Sequence, residues 1–77
     1  MDVKWQEGFR IKVRVDGGAA TISANREGLL SLSAQLAALA KEPPGSHIHL
    51  DEYNSLEDNS VELIIERMEQ DSNSINK

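Results

Sequence analysis

A chain of 77 residues without cysteine allows one small domain and excludes disulfide bonds and thiolate metal sites. Its net charge of −5 argues against a nucleic-acid-binding surface, which needs concentrated positive charge. No apolar run reaches the roughly 18 residues of a membrane span, and the first residues lack the apolar core of a signal peptide, so the expected location is the cytoplasm.

The N-terminal part predicts a β-hairpin. Apolar and basic residues alternate over residues 9–15, which is typical of a half-buried strand, and Gly8 allows a bend before it. Asp16-Gly17-Gly18 can adopt the positive φ angles of a tight turn. Residues 19–24 then predict the second strand, antiparallel to the first.

An amphipathic helix is predicted over residues 26–41. Asn25 is a suitable N-cap, and Pro43-Pro44-Gly45 would end the helix. Gly28 lowers helix propensity in the first turn, which is consistent with a close approach of another backbone there; a glycine that the helix merely tolerates is the alternative. The stripe expected to face the core recurs at spacings of three and four residues and consists of Leu29, Leu32, Leu36, Leu39 and Ala40.

Two further strands follow the helix. Residues 47–51 alternate, with Ile48 and Leu50 on one face, and residues 61–66 alternate again. The polar residues 52–60 form the loop between these strands. We therefore expect residues 1–69 to form a single domain and the polar residues 70–77 to form a disordered tail.

The element order β-β-α-β-β predicts an α+β fold, in which a four-stranded antiparallel sheet carries one amphipathic helix on one face. Pairing of the basic residues of the first strand with Glu62 and Glu66 predicts that the first and last strands are neighbours at the centre of this sheet. Besides the helical stripe, the predicted core comprises Phe9, Ile11, Val13, Ile22, Ile48, Leu50, Val61, Leu63 and Ile65.

The third strand carries three potential metal ligands on one face. His47, His49 and Asp51 occupy alternate positions, so their side chains point the same way. Two imidazoles and a carboxylate can bind a divalent ion, and Glu62 or Glu66 could complete the site. The pattern is nevertheless common on exposed strands. The sequence therefore predicts no metal and no cofactor, with these three residues as weak candidates.

Catalytic signatures are absent from the sequence. Ser46 or Ser60 could pair with a histidine, but nothing supplies an oxyanion hole or a nucleophile elbow. The glycine pair 17–18 belongs to a hairpin turn and is not a phosphate-binding loop. A substrate pocket would also consume much of so small a core. These observations favour a binding protein without catalytic residues.

Three segments between Asn25 and Arg67 resemble a small immunity protein family of bacterial polymorphic toxin systems. They are residues 25–30 (NREGLL), residues 47–51 (HIHLD) and residues 60–65 (SVELII). The resemblance implies that the protein binds a toxin domain and neutralises it through surface complementarity. It covers about half of the chain.

Charge is distributed unevenly along the chain. Residues 1–42 contain six Lys or Arg and five Asp or Glu, a net charge of +1, whereas residues 43–77 contain two and eight, a net charge of −6. Together with the resemblance, this acidic half predicts a basic toxin partner, such as a nuclease. The predicted partner-binding residues are Asp51, Glu52, Glu57, Asp58, Glu62 and Ile64.

Two other functions remain open at this point. Ile64 would be an exposed aliphatic side chain on the sheet, so the chain could be a homodimeric interaction module that associates through a sheet face or an edge strand. The histidines also leave open a small metal-binding protein. A solubilising role is an alternative explanation of the acidic half.

Overall fold

The computed structural model describes residues 4–69, and the predicted tail 70–77 lies outside them. The elements are β1 (Ile11–Asp16), β2 (Ala19–Ala24), α1 (Arg26–Leu39), β3 (His47–Leu50) and β4 (Leu63–Glu66). The predicted α+β class and the β-β-α-β-β order are thus confirmed. Within residues 4–69, no helix is long and apolar enough to span a membrane.

The four strands form two sheets, each an antiparallel hairpin. β1 pairs with β2, and β3 pairs with β4. The expectation of one continuous four-stranded sheet was therefore wrong, and so was the pairing of the first strand with the last. The basic residues expected to face Glu62 and Glu66 have other partners: Arg10, just before β1, contacts Glu57, and Arg14 contacts Asp16.

The first hairpin follows directly from its turn residues. Asp16 is the register partner of Ala19, so the loop contains only Gly17 and Gly18. Both glycines have positive φ angles, +54° and +85°, as a type I′ turn requires. This turn matches the right-handed twist of the strands, and the predicted hairpin is confirmed.

An irregular segment, residues 57–61, connects the two hairpins along the second edge of β1. The Glu57 and Val61 amides donate to the carbonyl oxygens of Ile11 and Val13, at 2.8 and 2.9 Å. The segment thus advances four residues while β1 advances two, and Asn59 has a φ of +70°. These departures from extended geometry explain why the segment is not a strand and why the sheets stay separate.

Asn25 connects the helix N-terminus to β1. Its Oδ1 accepts hydrogen bonds from the Gly28 amide at 2.8 Å and from the Arg10 amide at 2.9 Å. Its Nδ2 donates to the carbonyl oxygen of Gly8 at 3.0 Å. The predicted N-cap is therefore confirmed, and the same side chain also fixes the entry of the chain into β1.

Gly28 packs against the backbone of the first hairpin, as predicted. A Cβ atom at this position would overlap the Arg10 carbonyl oxygen and would lie 3.0 Å from Cγ1 of Ile11. This contact fixes the rotation of α1, because residues three, four, seven and eleven positions later share its face. The buried residues of α1 are accordingly Gly28, Ser31, Leu32, Gln35 and Leu39.

The predicted helical stripe is wrong in part. Leu32 and Leu39 are buried, whereas Leu29, Leu36 and Ala40 are exposed. The close contact of Gly28 with β1 turns these three residues toward solvent. The inner face of α1 therefore combines Leu32 and Leu39 with the small or polar residues Gly28, Ser31 and Gln35.

The core lies between the two hairpins and α1. Its central cluster consists of Ile11, Val13, Leu32, Leu50 and Leu56, with Trp5, Phe9, Ala24, Leu63 and Ile65 packed against it. Ile48 is also buried, so most of the predicted strand positions are confirmed, but Ile22 and Val61 are exposed. Leu56 was missed because it lies in a polar loop.

Candidate functional site

The uncovered face of the β3–β4 hairpin presents four side chains to solvent. His47 pairs in register with Glu66, and His49 pairs with Ile64; all four are exposed. The intervening Ile48 and Leu50 point into the core. Strict alternation therefore places these candidate residues together, as the sequence predicted.

A compact turn after β3 orients Asp51. Its Oδ1 accepts hydrogen bonds from the amides of Tyr53 and Asn54, at 2.9 and 3.2 Å. Asn54 in turn accepts from the Asp51 amide at 3.0 Å and donates to the His49 carbonyl oxygen at 2.8 Å. These hydrogen bonds fix the position of the Asp51 backbone relative to that of His49.

His49, Asp51 and Glu62 form one cluster. The His49 Nε2 contacts the Glu62 carboxylate directly. One potential ligand atom from each of the three residues lies within 4.8 Å of the others. Among the candidate ligands that the sequence offers, His47 and Glu66 lie outside this cluster, although they flank it on the same face.

The acidic residues of the loop divide into two groups. Asp51 and Glu62 lie beside His49, whereas Glu57 faces the start of β1 and contacts Arg10, with 3.2 Å between its Oε2 and the Arg10 Nε. Next to Glu57, the carbonyl oxygen of Asp58 accepts a hydrogen bond from Lys12 at 2.9 Å. Arg10 therefore offsets the charge of Glu57, and Lys12 is bound to the loop backbone beside it.

Glu52, Asp58, Glu62 and Ile64 are exposed, and Asp51 and Glu57 are half-buried. Glu52 accepts a hydrogen bond from the Asn59 amide, which links the two ends of the loop. All six predicted partner-binding residues thus lie on the loop 51–62 or at the adjacent β4. They form a connected stretch of chain rather than an enclosed pocket.

Tyr53 is a surface residue that the sequence interpretation did not select. Its side chain is 94% exposed at the tip of the Asp51 turn, and Ile64 is 56% exposed on β4. Tyrosine is one of the residue types that are enriched in protein–protein interfaces. The available signal was that Tyr53 is the one tyrosine of the chain and lies in an otherwise polar loop.

A family model described as Immunity protein 32 matches residues 20–68, which is more than half of the chain. The match begins in β2, includes α1 and both strands of the second hairpin, and so contains every predicted partner-binding residue. No match is found among curated proteins or among solved structures. The resemblance noted in the sequence is confirmed, and the chain belongs to the Immunity protein 32 family, whose general role is immunity to a toxin.

Proposed function

We propose that this protein neutralises its toxin by binding it directly in the cytoplasm, without catalysis. The proposed surface comprises the loop 51–62 and the start of β4, with Asp51, Glu52, Glu57, Asp58, Glu62 and Ile64 as contact residues. The observation that carries the proposal is the juxtaposition, within this one stretch, of exposed carboxylates with the exposed side chains of Tyr53 and Ile64.

The two apolar side chains and the surrounding carboxylates have distinct roles in this proposal. Large side chains such as Tyr53 and Ile64 supply most of the binding free energy when a partner removes them from water. Carboxylates at the rim add specificity and raise the association rate with a basic partner. A basic, nuclease-type toxin fits this charge, because carboxylates can occupy positions where the toxin binds phosphates.

The proposal is tested by affinity capture from the lysate of the host, followed by purification of the captured toxin domain. The double variant Asp58→Lys/Glu62→Lys should weaken binding of that domain by about tenfold or more, because each reversal replaces an attraction with a repulsion. The matched control is Glu7→Lys/Asp16→Lys, which changes the net charge equally at exposed positions outside the proposed surface.

Neutralisation of the toxin is tested separately, in cells that produce the captured toxin domain. Co-expression of the wild-type protein should restore growth of cells that produce the captured toxin domain, and Tyr53→Ala/Ile64→Ala should restore it less. Equal loss of binding in the charge-reversed variant and in its control would contradict the proposed surface. Modification of the toxin by catalytic amounts of the protein would contradict a stoichiometric binding mechanism.

Homodimerisation is a second candidate function, and one observation favours it. The outer face of α1 exposes Leu29, Leu30 and Leu36, which are 54%, 45% and 42% exposed. No charged residue occurs between Gly28 and Ala40. Sedimentation velocity over a hundredfold range of concentration tests this candidate, since Leu29→Glu/Leu36→Glu should abolish any dimer that buries this face.

A further inference from the structure

We propose that His49, Asp51 and Glu62 form a binding site for a divalent transition-metal ion of the zinc class. The three residues come from β3, the turn after it and the residue before β4, so only the folded hairpin brings them together. This inference concerns a ligand of the protein itself and does not depend on toxin binding.

The donor set fits such an ion. One imidazole nitrogen and two carboxylates match the nitrogen and oxygen ligands that zinc accepts, and a water molecule would complete a tetrahedral shell. In such a shell the ligand atoms are about 3.4 Å apart, given metal–ligand bonds of roughly 2.1 Å. The three candidate atoms already lie within 4.8 Å of one another, so small side-chain rotations are sufficient.

The carboxylate of Asp51 and the backbone of His49 are held by hydrogen bonds before any ion binds. The Asp51 Oδ1 accepts hydrogen bonds from the Tyr53 and Asn54 amides, and its second carboxylate oxygen has neither of these bonds to give up on binding an ion. Asn54 also fixes the His49 carbonyl oxygen. Such hydrogen bonds around a metal site orient the ligands, and Asn54 is therefore a positioning residue.

His49 and Glu62 are already in contact through Nε2 and a carboxylate oxygen. An ion would insert between these atoms and exchange one charge-assisted hydrogen bond for two metal–ligand bonds. Glu62 is exposed and can move outward to make room. The ion would also offset the mutual repulsion of Asp51 and Glu62, two carboxylates of one cluster.

The test is a zinc titration of the untagged protein by calorimetry near neutral pH, with cobalt(II) absorption as a second measurement of the ligand geometry. The wild-type protein should bind one ion per chain. His49→Ala, Asp51→Asn and Glu62→Gln should each weaken binding by about tenfold or more. Asp51→Asn keeps the oxygen that accepts the turn hydrogen bonds, and circular dichroism verifies the fold of each variant.

His47→Ala is the matched control, because His47 lies on the same face of the same strand but outside the cluster. Its zinc affinity should stay within about twofold of the wild-type value. Zinc should also raise the melting temperature of the wild-type protein and of His47→Ala but not that of His49→Ala. Any other pattern, including equal losses from the two histidine variants or no zinc binding by the wild-type protein, overturns the proposal.

Discussion

At the scale of single residues, two positions decide how α1 meets the first hairpin. Asn25 combines the helix N-cap with hydrogen bonds to both Gly8 and Arg10. Gly28 allows the helix to approach the Arg10 carbonyl oxygen. The N-cap at Asn25 and the close approach at Gly28 were predicted from the sequence, whereas the hydrogen bonds of Asn25 to Gly8 and Arg10 were not. The identity of the contacted strand, in contrast, required the fold.

Replacement of Gly28 by alanine should destabilise the protein, although alanine is the better helix former by about 1 kcal/mol. The new Cβ would collide with backbone and with Ile11, and such overpacking costs roughly 1–3 kcal/mol. Urea denaturation measures the difference. Ser33→Ala, on the exposed side of α1, is the control and should change the free energy of unfolding by less than about 0.5 kcal/mol.

At the scale of elements, the sequence predicts the strands and the helix better than their faces. Periodicity located all five elements within a few residues, because local spacing determines them. It assigned the wrong inner face to α1, since Leu29 and Leu36 fit an apolar stripe as well as the observed residues do. It also missed Leu56, whose burial depends on the contact between the loop and β1.

A matched pair of substitutions tests the observed face of α1. Leu32→Ala should lower the free energy of unfolding by about 2–5 kcal/mol, because it leaves a cavity among core residues. Leu29→Ala removes an exposed side chain and should cost less than about 1 kcal/mol in the monomer. Thermal and urea denaturation at low protein concentration provide the comparison. If Leu29→Ala lowered the free energy of unfolding as much as Leu32→Ala does, Leu29 would face the core, as the sequence predicted.

At the scale of the whole molecule, residues 57–61 connect the two hairpins. Besides the two backbone hydrogen bonds to β1, Ser60 Oγ accepts a hydrogen bond from the Val13 amide at 3.0 Å. The sequence placed the acidic residues in this region but could not predict its path, because an irregular segment has no periodicity. The predicted site residues therefore divide between the β1 side and the β3–β4 side of the loop.

Ser60→Ala should destabilise the protein by about 1–3 kcal/mol, because the amide of the buried residue Val13 loses its acceptor. Ser23→Ala is the control: its hydroxyl accepts a hydrogen bond from Arg14, and both residues are exposed. The control should stay within about 0.5 kcal/mol of the wild-type protein. Equal effects of the two substitutions in urea denaturation would show that Ser60 does not join the hairpins.

The path of residues 57–61 has a consequence for local opening of the molecule. The amide protons of Glu57 and Val61 can exchange with solvent deuterium only when this segment leaves the edge of β1. If the hairpins open as one cooperative unit, these two protons exchange with the same protection as the Ile11–Asp16 ladder. Faster exchange of both would instead define the second hairpin as a separate foldon, which could open toward a partner while the first hairpin and α1 stay folded.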